Sequence, residues 1–122
     1  MATVLTNRGK EIIVDRLMGN GTEPKFVAWG TGAGTAAAAD TTLFTESAEA
    51  RVTGTSSKVT TTTTNDTYQV VGTMTASAGR TITNAGLFDA STVGNLFIKT
   101  DFTGVVLATN DSITFTFKCQ FT

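Results

Sequence analysis

The 122-residue chain contains no histidine, so it lacks the side chain most often used as a general base near neutral pH and the commonest metal ligand. Its single cysteine, Cys119, has no partner within the chain, which excludes an internal disulfide framework. The nine basic residues do not cluster: Arg8, Lys10, Arg16, Lys25, Arg51, Lys58, Arg80, Lys99 and Lys118 are spread against ten carboxylates, for a formal net charge of −1. Without a basic patch there is no electrostatic footprint for nucleic acid or an anionic membrane. No apolar run is long enough for a membrane helix and no charged-then-apolar leader opens the sequence, so neither a secreted nor a membrane protein is expected. In that setting the Asn-X-Ser/Thr triplets at Asn20, Asn65 and Asn110 read as chance matches.

Signatures of chemistry are missing too. Gly30-Thr-Gly-Ala-Gly34 is glycine-rich, but no Lys-Ser/Thr pair follows as in a P-loop, and the dinucleotide-binding spacing is absent. The carboxylates Glu11, Asp15, Glu23, Asp40, Glu46, Glu49, Asp66, Asp89, Asp101 and Asp111 fall mostly at expected turns or on a helix face. Nothing in their spacing selects a glycosidase pair or a dense calcium loop. The serines have neither a histidine partner nor a G-x-S-x-G setting. The expectation is a protein that is not an enzyme, with no catalytic, cofactor-binding or metal residues and no small-molecule substrate.

Threonine is what the chain has in excess, with 27 copies, more than a fifth of the residues. β-Branching favours strands and the hydroxyl suits a wet face, so the excess predicts a sheet-rich protein. The clearest strand runs from Ser112 to Thr122, where Ile113, Phe115, Phe117, Cys119 and Phe121 alternate with polar residues. Such an apolar wall requires a covering layer. Cys119 on it is expected to be a buried, inert thiol.

Thr6-Asn7 offers a helix cap, and Ile13, Val14, Leu17 and Met18 recur at helical spacing before Gly19-Asn20-Gly21. This predicts an amphipathic helix over 7–18 whose stripe either lies over the sheet and covers the phenylalanines or docks on another subunit. Lys25–Gly30 reads as a short strand. After it, a Gly/Ala/Thr-rich arm over 30–48 has no periodicity and is longer than most ordered connections. It either orders against a neighbour or is pinned to its own core by Leu43 and Phe44. The candidate partner-contact residues are Trp29, Thr35, Asp40, Leu43 and Phe44.

From Arg51 onward the pattern is sheet. A threonine-rich edge strand is expected over 51–64, and Asn65-Asp66 as a two-residue turn. The next strand, 67–77, sets Tyr68, Val70, Met74 and Ala76 on one side with Gly72 between, and further strands follow at 81–88, 95–102 and 112–122. The fold class is mainly β: an antiparallel β-sandwich or barrel-like sheet of about six strands with one N-terminal amphipathic helix packed against it, in a single domain over 1–122.

An ordered set of motifs spans most of the chain. It comprises Thr6-Asn-Arg-Gly9, Val27-Ala-Trp-Gly-Thr-Gly-Ala-Gly34, Asp40-Thr-Thr-Leu-Phe-Thr-Glu46 and Arg51-Val-Thr-Gly54. Tyr68-Gln-Val-Val-Gly-Thr-Met-Thr75, Ile82-Thr-Asn-Ala-Gly-Leu-Phe-Asp89, Gly94-Asn-Leu-Phe97 and Asn110-Asp-Ser-Ile-Thr-Phe115 follow. The set resembles small structural proteins of tailed bacteriophages and the N-terminal domain of phage tail-collar fibre proteins. That resemblance implies a virion component without enzymatic activity, made in the bacterial host cytoplasm. A fibre protein would continue into a repetitive shaft, whereas this chain stops after its last strand, which favours a capsid decoration or cement protein. The implied partners are the major capsid protein at the capsid surface and other copies of the chain in a homotrimer. The alternatives are a tail fibre, neck or baseplate adaptor and, on Trp29 and Tyr68 alone, a carbohydrate-binding β-sandwich.

Overall fold

The computed structural model describes residues 1–122. The order is β1 (Thr3–Leu5), α1 (Asn7–Leu17), β2 (Phe26–Gly30), β3 (Val52–Thr53), β4 (Thr55–Val59), β5 (Thr67–Thr75), β6 (Arg80–Phe88), β7 (Leu96–Leu107) and β8 (Ser112–Gln120). A five-stranded sheet, β1-β7-β6-β2-β3, packs on a three-stranded one, β4-β5-β8, and every strand pair is antiparallel. The strands number eight rather than six because β1 and β3 are too short to show a period in the sequence.

Alternation explains the interior of the sandwich. β5 and β8 pair without a slip from Thr67 opposite Gln120 to Thr75 opposite Ser112. This sends Val70, Met74, Phe117 and Cys119 inward, while Thr73, Thr75, Thr114 and Thr116 remain exposed. On the wet face, hydroxyls pair across the strands, Thr73 with Thr114 at 2.8 Å and Thr75 with Ser112 at 2.7 Å. From the opposite sheet Val27, Trp29, Ala85, Leu87 and Ile98 complete the core, and the Trp29 ring meets Phe115 edge-on at 6.3 Å. Buried side chains of this size contribute roughly 1.5–3 kcal/mol each. At Gly72 the inner face has no side chain because none fits: a Cβ there would lie 2.6 Å from Cγ2 of Val27.

The five-stranded sheet, and not the helix, covers the phenylalanines of β8. Phe121, expected on the same wall, lies beyond the strand and is 52% exposed. The predicted stripe of α1 is likewise turned away from the sheet. Ile13 is half-buried, and Val14, Leu17 and Met18 are exposed; Gly9 and Ile12 face inward. Two contacts set this rotation. Buried Thr6 caps the helix, accepting from Gly9 N–H at 2.9 Å while its hydroxyl donates to Leu96 O at 2.5 Å. Gly9 presses on β7 so closely that a Cβ would overlap the Phe97 carbonyl and lie 2.8 Å from Cδ1 of Leu5. The residue that weakens the helix by propensity is therefore the one that docks it.

The expected two-residue turn at Asn65-Asp66 is a longer loop, 60–66, and β4 ends at Val59. The Asp66 carboxylate accepts from the backbone N–H groups of Thr61, Thr62 and Thr63 at 2.9, 3.1 and 3.0 Å. Asn65 takes a positive φ of 58°. The threonines here thus wrap a carboxylate and leave the ladder. At the other end, β7 runs to Leu107, past the predicted end at residue 102.

Gly9→Ala separates packing from propensity. Alanine would favour the helix by about 1 kcal/mol, but overlap with Phe97 should leave the variant about 1–3 kcal/mol less stable than the wild type in urea unfolding. A stabilised variant would contradict the docking of α1.

Candidate functional site

The arm between β2 and β3 lies on the outer face of the five-stranded sheet as a third layer. Val27, Trp29, Ala85 and Leu87 face the sandwich core, whereas Ala28, Phe88 and Leu96 enclose Leu43 of the arm in a second small core. With few apolar residues of its own, the arm depends on polar bonds for its order.

Its last part returns along β2 and the residues just after it, with Gly32 N–H donating to Phe44 O at 2.9 Å and Ser47 N–H to Trp29 O at 2.9 Å. Side chains of the sheet meet the rest. Asn84, fully buried on β6, accepts from Phe44 N–H at 3.0 Å and donates to Phe44 O at 3.0 Å, as a neighbouring strand would. Asp101 on β7 accepts from Ala36 N–H at 2.7 Å. The Lys99 ammonium, whose side chain is 1% exposed, donates to Asp40 at 3.0 Å and to Thr42 O at 2.8 Å, and sits 3.3 Å from the centre of the Phe44 ring. Burial opposes ionisation of Asp40, but the Ala37 N–H and Lys99 together hold its carboxyl below the usual range.

Two polar hubs clamp the end of the arm. Glu49 accepts from Trp29 Nε1 at 2.9 Å, Arg80 Nε at 2.6 Å, Ser77 and Ser47. Burial works against its charge, yet these donors hold its carboxyl well below the ordinary value. Arg51 grips Glu46 with two nitrogens at 2.9 and 3.0 Å, donates to Ala90 O and Val93 O, and stacks over Phe88. That planar fork could not be reproduced by lysine.

The five residues singled out from sequence are gathered here, but not as one exposed surface. Trp29 and Leu43 are buried in this chain's own cores, Asp40 and Phe44 are half-buried against Lys99, and Thr35 is exposed. Alone of the five, Thr35 offers its side chain freely to a partner. The arm is pinned to its own sheet, the second of the two readings. Sequence reasoning passed over Lys99, Asn84, Asp101, Glu49 and Arg51. The visible signal was Lys99 directly after Leu96-Phe-Ile98, and Asn84 inside Ile82–Phe88, polar groups where an apolar strand has no use for them unless a roof supplies partners.

The arrangement is poorly suited to proton or nucleophile chemistry. Burial pushes the Cys119 thiol up, and burial together with the Glu23 carboxylate pushes the Tyr68 phenol up, so both stay protonated at neutral pH. The Glu49 and Asp66 carboxyls are held down and carry no proton to give. No group of three or more Cys, Asp or Glu side chains comes together as a metal site. Trp29 is buried and the Tyr68 hydroxyl is engaged by Pro24 O and Glu23, so neither forms an open platform for sugar. Two apolar grooves are open, the first beside α1 and the second beside β8. One, of about 460 Å³, is lined by Ile13, Leu17, Phe97 and Phe121; the other, of about 470 Å³, by Phe102, Val105, Ile113 and Phe115.

Lys99→Met should cost about 1.5–3 kcal/mol, the usual worth of hydrogen bonds to a charged group, and should open the arm to limited proteolysis between residues 34 and 45. An arm as resistant as in the wild type would contradict the pinning. Because Asp40, Glu49 and Asp66 have folded-state pKa values below their unfolded ones, their stabilisation is complete above the unfolded values and is lost as pH falls. Stability should therefore decline below about pH 4.5, the ordinary glutamate value. Glu49→Gln should be less stable at neutral pH and lose less on acidification, as followed by thermal unfolding across pH.

Known proteins place this scaffold. No curated protein and no solved structure matches the chain. The family model described as "Podophage GP4 fiber I protein gp80" matches residues 5–119, from the last residue of β1 to within one residue of the end of β8. The chain therefore belongs to the podophage GP4 fiber I protein gp80 family and is a structural protein of a phage virion.

Proposed function

We propose that the chain is a non-enzymatic building module of a tail-fibre-type assembly, acting through the surfaces it presents to other protein chains. The observation that carries this reading is the use made of its polar side chains. Lys99, Asn84, Asp101, Glu49 and Arg51, the buried and half-buried polar residues around the arm, are all engaged in fixing it. Outward lie the charged face of α1, the Ala/Thr surface of the arm, the hydroxyl face of β5 and β8, and the two apolar grooves. The family description, a fibre protein, supports the same assignment.

The second reading is a decoration protein that binds the head exterior and bridges neighbouring coat subunits. The exposed hydroxyls of Thr73, Thr75, Ser112, Thr114 and Thr116 favour it, since they form a broad polar face suited to a wide, wet contact. Gold-labelled antibody against the chain, applied to intact virions, distinguishes the two. Label at the tail is expected; label on the head facets would replace the fibre reading with the decoration reading, and unlabelled particles would overturn both.

A further inference from the structure

β8 is bonded to β5 along one side and to no strand along the other. The bonds Ala76 N–H to Asp111 O at 2.8 Å and Phe121 N–H to Asp66 O at 3.0 Å extend the β5–β8 register at both ends. They fix which residues do the pairing: the odd-numbered ones bond to β5, so the N–H and C=O groups of Ser112, Thr114, Thr116, Lys118 and Gln120 point to the open side. This edge is nine residues long, without proline or bulge, and carries one lysine. Soluble proteins seldom leave such an edge bare. Next to it the sandwich gapes, with Ile113 and Phe115 half-buried against Phe102 and Val105 in one of the grooves.

We propose that a second copy of this chain pairs antiparallel with β8 about a twofold axis at Thr116, joining the two three-stranded sheets into one. The self-match of the edge argues for a copy over another partner. With Thr116 opposite itself, Thr114 faces Lys118 of the copy and Ser112 faces Gln120, so all the open-side donors and acceptors meet. On the inner face Phe115 falls beside Phe117 of the copy and Ile113 beside Cys119, withdrawing both half-exposed side chains from water. Centring instead on Lys118 would set two lysines against each other, and centring on Thr114 would leave the C-terminal end of the edge unpaired. The other edge strands, β4, β1 and β3, have five, three and two residues and cannot cover β8. A twofold contact closes on itself as a dimer, in place of the trimer implied by the sequence resemblance. The pairing concerns the isolated chain and holds for either location in the virion.

Sedimentation velocity and light scattering of the purified chain test it. The wild type is expected to be a dimer. Thr116→Lys, an exposed position whose side chain touches no core, should raise the dimer dissociation constant about fivefold or more, because like charges then sit opposite each other, with an unchanged far-UV spectrum. Thr116→Cys should form a disulfide-linked dimer under mild oxidation, since directly opposed hydrogen-bonded residues lie about 5.5 Å apart at Cα, within disulfide reach. A wild type that is monomeric at every concentration, or trimeric, would overturn the proposal. So would a dimer that neither substitution affects.

Discussion

Backbone that lies outside a helix or a sheet still needs partners for its N–H and C=O groups, and in this protein that requirement shapes the arm between β2 and β3. The sheet beneath it supplies them from side chains: Asn84 imitates a neighbouring strand at Phe44, Asp101 takes the Ala36 N–H, and Lys99 reaches Thr42 O. An ammonium this deep is tolerated because Asp40, a carbonyl and the face of Phe44 surround it. The result is a third layer assembled from a segment whose composition reads as a loose loop.

The same economy bears on function. A buried lysine, a carboxylate ringed by donors and an arginine fork are closed into pairs with each other and with backbone. Their energy goes into holding one shape. A structural protein of a virion needs a fixed outline, and pairs of this kind hold one.

How much of this the sequence disclosed depended on whether an element declares itself through its own neighbours in the chain. β8 and β5 alternate cleanly, and their faces follow from that alone. Asn65, chosen for its tolerance of positive φ, adopts it. The helix was legible in extent but not in orientation, because the face it buries is decided by Gly9 meeting the Phe97 carbonyl, a contact between residues far apart in sequence. β1 and β3 exist only as partners of β7 and β2 and carry no period. Least visible was the arm, since Lys99 and Asn84 sit on strands where polar residues normally mean water, and only the roof shows otherwise.

The central claim is that the arm is an integral layer of the isolated protein, ordered before any partner arrives. Amide hydrogen exchange of the wild-type chain at neutral pH tests it directly, read at Gly32, Ala36 and Phe44, whose N–H groups are bonded to Phe44 O, Asp101 and Asn84. The account predicts protection comparable to that of the β6 amides. Exchange at these three positions as fast as in an unfolded chain, with β6 still protected, would contradict it.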